Sequence, residues 1–324
     1  MKKDHGADVA FSYASGKIII GGEHAVVYGH PAIAATLDRG VRIAVTALSP
    51  AQNKTGPMLR STGLGFVGQV CPDPGGEGPD VLRKALNRLV ELCGEKIRSL
   101  ELVVDSAIPG GRGLGSSAAL SVAMVRGVLR YFEQEAPADE VARLALELEK
   151  IFHGNPSGID HTVIARGGMI QYQKTETGVL VESIRSPREL TFVVALSGAH
   201  GGTLQAVSAL KQRAKRYPHL YESIFKGIAD VVVEMRSAID EGRLAALGEL
   251  MNLNQGYLNA LSLSTPEIEK LCALAREKGA LGAKLTGAGG GGAVIALVDG
   301  NAESLVQSFS ESGYLSFTSR CQTE

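Results

Sequence analysis

Residues 109–119 read PGGRGLGSSAA, a glycine-dense turn that follows the apolar run Leu100 to Val104 and passes straight into a stretch rich in Ala, Leu, Val and Met from Ser116 to Phe132. Strand, glycine turn and helix in that order favour anion binding. A helix N-terminus presents unpaired N–H groups and the positive end of its dipole, and glycines let a polyphosphate approach the backbone. The Gly-Lys-Ser/Thr ending of a Walker A loop is absent, so this phosphate cradle is of another kind. Ser116 and Ser117 stand at the first helical positions. Their hydroxyls can cap the helix or coordinate a magnesium ion that bridges phosphates. Capping accounts for one serine; a second behind a row of glycines tilts the reading towards phosphate and metal.

Two further glycine islands lie on either side. KLTGAGGGGAVIALV, from Lys284, holds a formal GxGxxG at Gly287, Gly289 and Gly292. A dinucleotide fingerprint must follow a strand and open a helix, whereas Ala293–Val298 here has strand character, so a nicotinamide enzyme is disfavoured. A tight hairpin turn would explain two of these glycines but not four in a row. GKIIIGGEHAVVYGHPAIA, residues 16–34, gathers Lys17, Glu23, His24 and Tyr28. Such charges are ordinarily solvated loop residues, and no HExxH-type spacing accompanies His24. Glu149 lies beside the inward-looking set Leu144, Leu148 and Phe152, and Asp160 closes EKIFHGNPSGID, residues 149–160. Either carboxylate alone is more often a surface or capping residue. Beside a phosphate cradle the two would divide the labour, one holding Mg²⁺ and the other receiving or orienting a hydroxyl proton.

The 324 residues suffice for two domains, and 44% hydrophobic with 21% charged residues is ordinary for a globular protein. A net charge of −1 argues against a nucleic-acid partner but permits a local phosphate site. Cys71, Cys93, Cys272 and Cys321 show neither zinc nor redox spacing. No run reaches the length of a membrane span, and the N-terminus lacks a signal-like apolar core, so a cytoplasmic protein without a membrane partner is expected. The 40 glycines exceed the usual share of about 7% and gather in islands, as expected where backbone passes close to a ligand.

Apolar spacing predicts strands at 17–20, 41–47 and 100–104 and helices over 81–92, 116–132 and 137–152. Residues 54–80 resemble a long surface excursion, and HGNPSGID a loop leading to the strand GGMIQYQ. After the polar stretch 182–189, the apolar run 190–196 opens a second domain. Helices near 203–216, 221–242, 244–260 and 266–279 and strands near 293–298 and 314–319 complete it as a helix-on-sheet α+β layer.

Taken together these segments resemble the GHMP kinases, named for galactokinase, homoserine kinase, mevalonate kinase and phosphomevalonate kinase. PGGRGLGSSAA is similar to the family's ATP-phosphate motif and KLTGAGGGG to its C-terminal motif. GKIIIGGEHAVVYGHPAIA, EKIFHGNPSGID and the stretch from Met251 to Leu297 are similar to the mevalonate kinase branch. The resemblance implies an α+β two-domain GHMP kinase fold. Residues 1–187 would form a domain resembling ribosomal protein S5 domain 2, and residues 188–324 a ferredoxin-like one. It implies ATP-dependent phosphorylation of mevalonate to 5-phosphomevalonate, with Mg²⁺ as the cofactor and a homodimer as an allowed state. The alternatives are a GHMP kinase for another small alcohol or another hydroxyl of mevalonate, and a non-catalytic ligand-binding relative, against which the joint presence of Lys17, Ser117, Glu149 and Asp160 speaks.

By the same resemblance Asp160 is the catalytic carboxylate and Lys17 its partner, while Gly110, Gly111, Gly113, Leu114, Gly115, Ser116 and Ser117 line the ATP phosphates. Ser117 and Glu149 would hold the metal, and Glu23, His24, Thr203, Gly287, Ala288 and Gly289 would face the acceptor. Three departures stand out. No proline precedes Gly16; His161 follows Asp160; and VALSGAHGGT, residues 194–203, carries Ser197, Gly198 and His200 in place of the family's Asp-Thr-Gly. The last two bear on the acceptor's identity more than on the chemistry.

Overall fold

The computed structural model describes residues 9–49, 56–61, 68–71, 78–198 and 203–321. The chain gathers into two compact units, each discontinuous in sequence. The first comprises residues 1–16, 39–110 and 115–166, and the second residues 17–38, 111–114 and 167–324.

In the first unit the later part of β2 (Ala32–Ala47) pairs antiparallel with β5 (Leu100–Ser106), Val41 opposite Ser106 and Ala47 opposite Leu100. β5 continues in parallel to β3 (Met58–Ser61), which pairs with β4 (Gly68–Val70). The helices are α1 (Asp80–Cys93), α2 (Ser116–Tyr131), α3 (Ala138–His153) and α4 (Ile159–Arg166). α2 is buried on nearly every side, as its lack of a polar face requires. Ser12 of β1 (Val9–Gly21) fixes it by donating to the Ala123 carbonyl at 2.8 Å.

In the second unit the start of β2 pairs with β6 (Met169–Thr175), and β6 with β7 (Gly178–Ile184). A separate antiparallel sheet runs in the order β11 (Ser316–Cys321), β8 (Leu190–Leu196), β10 (Ala293–Val298), β9 (Gly282–Thr286). Around it lie α5 (Thr203–Arg216), α6 (Pro218–Asp240), α7 (Leu244–Ala260), α8 (Pro266–Glu277) and α9 (Ala302–Glu311). β8, β9 and β10 are buried almost throughout, so they are apolar runs rather than alternating strands. α7 crosses β9 where two glycines meet: a Cβ on Gly282 would stand 2.1 Å from the Gly248 carbonyl oxygen.

The long apolar segments fall where periodicity puts them, and the α+β two-domain GHMP architecture agrees with this element order. The short or polar ones do not. Part of the supposed surface excursion is β3, whose Met58, Leu59 and Ser61 are buried. Its order comes from pairing with β5, which no local pattern announces. The loop after His153 turns at Gly158 into α4, a helix of eight residues. β7 is mostly exposed although Val179, Leu180 and Val181 follow one another in it, so alternation does not mark it. β9 lies inside the glycine motif, and α9 occupies a segment to which the sequence reading gave no element. Among the described residues no helix is long and apolar enough to cross a membrane.

Candidate active site

In the first unit the glycine turn enters α2 through Gly115, held at φ 75° in the left-handed region. Its carbonyl accepts from Ala119 N at 2.8 Å. Neither serine caps the helix: no side-chain hydrogen bond is made at the cap. Ser117 Oγ instead lies 2.9 Å from His153 Nε2 at the end of α3. The same nitrogen is 3.8 Å from Glu149 Oε2, one turn earlier on α3. Ser121, one turn into α2, donates to Glu149 Oε1 at 3.4 Å. Glu149 is 1% exposed, so this carboxylate belongs to the interior and not to the surface. Asp160 stands in the first turn of α4, half-buried, with His161 buried beside it.

The second unit holds the remaining charges. Lys17, Glu23, His24 and Lys284 are all buried, which corrects the solvated-loop reading of the first island. The backbone of Lys17 donates to the Leu114 carbonyl at 2.9 Å and so anchors residues 111–114. Glu23 and Lys284 form an ion pair shielded from water. Burial pushes the Glu23 carboxyl above its usual range, opposed by Lys284 and more weakly by Lys17. The same burial pushes the Lys284 ammonium down, opposed chiefly by Glu23.

His24 occupies φ 60°, ψ −42°, and Ala25 N returns to the Glu23 carbonyl at 2.7 Å. That is a γ-turn of the rare, strained positive-φ kind. The ring is held by Nε2–H donating to the Ala288 carbonyl at 2.9 Å. Ala288 lies in the glycine-rich connection of the hairpin between β9 and β10, where Ala293 faces Thr286. The hairpin reading is therefore right in topology. The additional glycines answer a second demand, contact with residues 111–114. A Cβ on Gly287 would meet Gly113 Cα at 3.1 Å, and one on Gly113 the Thr286 carbonyl at 3.0 Å. Arg112 completes the clamp by donating to the Ser197 carbonyl at 2.6 Å.

The site residues read from the sequence thus fall into two sets. Ser116, Ser117, Glu149 and Asp160 lie in the first unit with Gly110 and Gly115. Lys17, Glu23, His24, Gly287, Ala288 and Gly289 lie in the second with Gly111, Gly113 and Leu114. Thr203 opens α5, and its side chain, like His200, lies outside the described residues. Two residues escaped the sequence reading. His153 was quoted but given no part, although its position one turn after Glu149 puts both on one face of α3. Lys284 looked like one polar residue before a glycine run, and nothing local signals that its ammonium is buried.

The profile of the GHMP kinases N terminal domain matches residues 80–168, and that of the GHMP kinases C terminal matches residues 235–315. The mevalonate kinase of Thermococcus sibiricus is 38% identical over 302 residues, covering 88% of this chain and 87% of its own. The crystal structure of the Methanococcus jannaschii mevalonate kinase superposes with a TM-score of 0.79 at 26% identity, over 100% of both chains. That of a mevalonate kinase of L. major in complex with R-mevalonate gives 0.80 at 24% identity, over 97% of this chain and 96% of that one. At the last identity the likeness is one of fold.

The His24 environment makes a prediction about stability. Burial, aided by the Arg213 charge and opposed by the Ala288 hydrogen bond, holds the imidazole below its usual 6.5. As pH falls from above 6.5 towards the lower folded value, the unfolded chain binds this proton first, so the folded state loses stability over that window and no further below it. His24→Gln removes that component. Urea unfolding at pH 7.5 and 5.5 should show the parent's advantage over the variant shrinking at the lower pH; an unchanged difference would contradict the assignment.

Proposed function

Because this chain belongs to the GHMP kinase family, we propose that it transfers the γ-phosphoryl group of ATP to the primary hydroxyl at carbon 5 of mevalonate. The observation that carries the phosphoryl-transfer reading is the convergence of Ser117 and Glu149 on His153 at the start of a helix entered through a glycine turn. The acceptor rests on the likeness to the Thermococcus sibiricus enzyme along most of both chains.

In this reading the ATP phosphates lie along residues 110–117, receiving backbone N–H groups and the positive end of α2. Ser117 and Glu149 would hold Mg²⁺. A hydroxyl and a carboxylate are the hard oxygen donors that ion prefers, and both already stand within reach of one nitrogen. The chemistry a magnesium ion supplies there is neutralisation of charge on the phosphate oxygens. The acceptor oxygen forms its bond to the γ-phosphorus while the bond to the leaving ADP oxygen breaks. Asp160 takes the hydroxyl proton, and Lys17 is the second catalytic residue of this reading. Such transfers depend more on positioning and charge neutralisation than on a strong base. Glu23, His24, Thr203 and residues 287–289 would face the acceptor. The division at 187/188, with one family region on either side, and a cytoplasmic location belong to the same reading.

A panel of acceptors with Mg-ATP tests the assignment. Mevalonate should give the highest kcat/KM; a higher value for galactose, homoserine or phosphomevalonate would overturn it. Asp160→Asn keeps size and shape but removes the proton acceptor, so kcat should fall at least about a hundredfold with the ATP KM nearly unchanged. A variant retaining more than half of the parent kcat would mean that another carboxylate does this work. Glu149→Gln loses one charged oxygen donor and should raise the Mg²⁺ concentration needed for half-maximal rate, whereas a titration overlaying the parent's would remove Glu149 from the metal site.

A further inference from the structure

Three charged side chains of the second unit are buried together: Lys17 at 2% exposure, Glu23 at 1% and Lys284 at 0%. The proposed chemistry uses the first two and has no part for the third. Lys284 lies on β9, one pleat from Thr286, and both side chains reach β1. Thr286 Oγ1 accepts from Ile19 N at 2.8 Å and donates to the Ile19 carbonyl at 3.2 Å. Lys284 Nζ donates to the same carbonyl at 3.4 Å, to the Leu285 carbonyl at 2.7 Å and to Glu23 Oε1. An ammonium has three N–H groups, and each of these has a partner. None remains for a substrate.

Glu23 is differently placed. Its Oε1 is taken by Lys284, while Oε2 is buried with no hydrogen-bond partner among the described residues. A carboxylate oxygen left dry in this way is costly unless something comes to donate to it. We propose that Lys284 is a positioning residue: it keeps Glu23 ionised and fixes it so that Oε2 receives a hydroxyl of the acceptor alcohol, while Lys284 itself touches no substrate. The inference rests on the reading that Glu23 faces the acceptor.

The charge balance gives the proposal a pH signature. The titratable groups acting on this pair are Lys17, beside both partners, and Cys272, beside Lys284; His24 follows Glu23 in the chain, and Arg213 acts on His24. Burial already favours the neutral carboxyl, and Lys284 is the largest influence opposing it. With Lys284 gone, Glu23 keeps only the weaker help of Lys17 and takes up a proton at higher pH. A neutral carboxyl loses the charge that holds the acceptor hydroxyl.

Lys284→Met and the double variant Glu23→Gln/Lys284→Met test this in the full chain. Removing a partner cation moves a carboxyl by about 1–3 pH units. The acidic limb of kcat/KM for mevalonate should therefore rise by at least about one unit in Lys284→Met, with the ATP KM within about twofold of the parent's. In the double variant that limb should vanish and the acceptor KM stay high at every pH. A merely structural tie would lower thermal stability and leave the limb in place, so a Lys284→Met profile superimposing on the parent's overturns the proposal. Carbon-13 NMR of labelled glutamate carboxyls in the parent, with Glu23 assigned by its loss in Glu23→Gln, reads the same quantity without turnover and does not need Lys284→Met to fold. An ionised Glu23 at pH 7 is expected, and a neutral one refutes the proposal. Should the parent fail to phosphorylate mevalonate while the NMR result holds, the acceptor assignment is at fault and Lys284's hold on Glu23 stands.

Discussion

The Lys284 ammonium has no access to water, and the second unit is arranged around satisfying it. Its N–H groups and the neighbouring Thr286 hydroxyl lace β9 to β1 through the Ile19 peptide, an attachment made by side chains on one face of a strand and not by a ladder of main-chain bonds. Removing one partner of a buried pair costs about 3–5 kcal/mol because an unmatched charge remains. Attraction alone does not favour such a pair over apolar side chains of similar volume. A cluster of this kind is retained for what it positions. Here that is the stretch of β1 carrying Lys17 and the strained turn that presents Glu23 and His24.

The same economy governs the glycines. Residues 111–114 and the hairpin connection 287–292 meet backbone to backbone, which only glycine permits, and Arg112 and the Lys17 amide tie down the ends of that contact. Rigid support for this backbone matters to the proposed function because phosphoryl transfer depends on where the phosphates are held. The first unit contributes a helix N-terminus whose serines are not consumed by capping. Ser117 lies against His153, and His153 shares α3 with Glu149, so the two oxygen donors are related through one turn of that helix.

Much of this was legible in the sequence, for physical reasons that also mark its limits. α1, α2 and α3 in the first unit and α5 to α8 in the second repeat their apolar residues at helical spacing over at least three turns. β8 and β10 are unbroken apolar runs, and the period or composition alone places them. β3 and β4, with few residues and no alternation, exist because β5 and one another pair with them. α4 hides because it has eight residues, and its β-branched Ile159, Thr162, Val163 and Ile164 are all buried, so no periodic stripe marks it. The glycine islands were recognisable as backbone that passes close to something, yet the partner for which Gly113 must be small, Gly287, lies far away in the chain. The charges of the first island were the largest misreading. Lys17 and Glu23 look solvated in sequence, and the counter-ion that pairs the buried Glu23, Lys284, arrives only from the C-terminal motif.

Phosphoryl transfer to the primary hydroxyl of mevalonate is the central claim, and the product's phosphorus spectrum tests it most directly. After incubation with Mg-ATP and mevalonate, a phosphate ester at carbon 5 should appear as a phosphorus resonance split by the two protons of the adjacent methylene, with ADP formed in equal amount. An unsplit ester resonance would mean transfer to the tertiary hydroxyl. ATP consumed with only inorganic phosphate released would mean that the acceptor is not mevalonate.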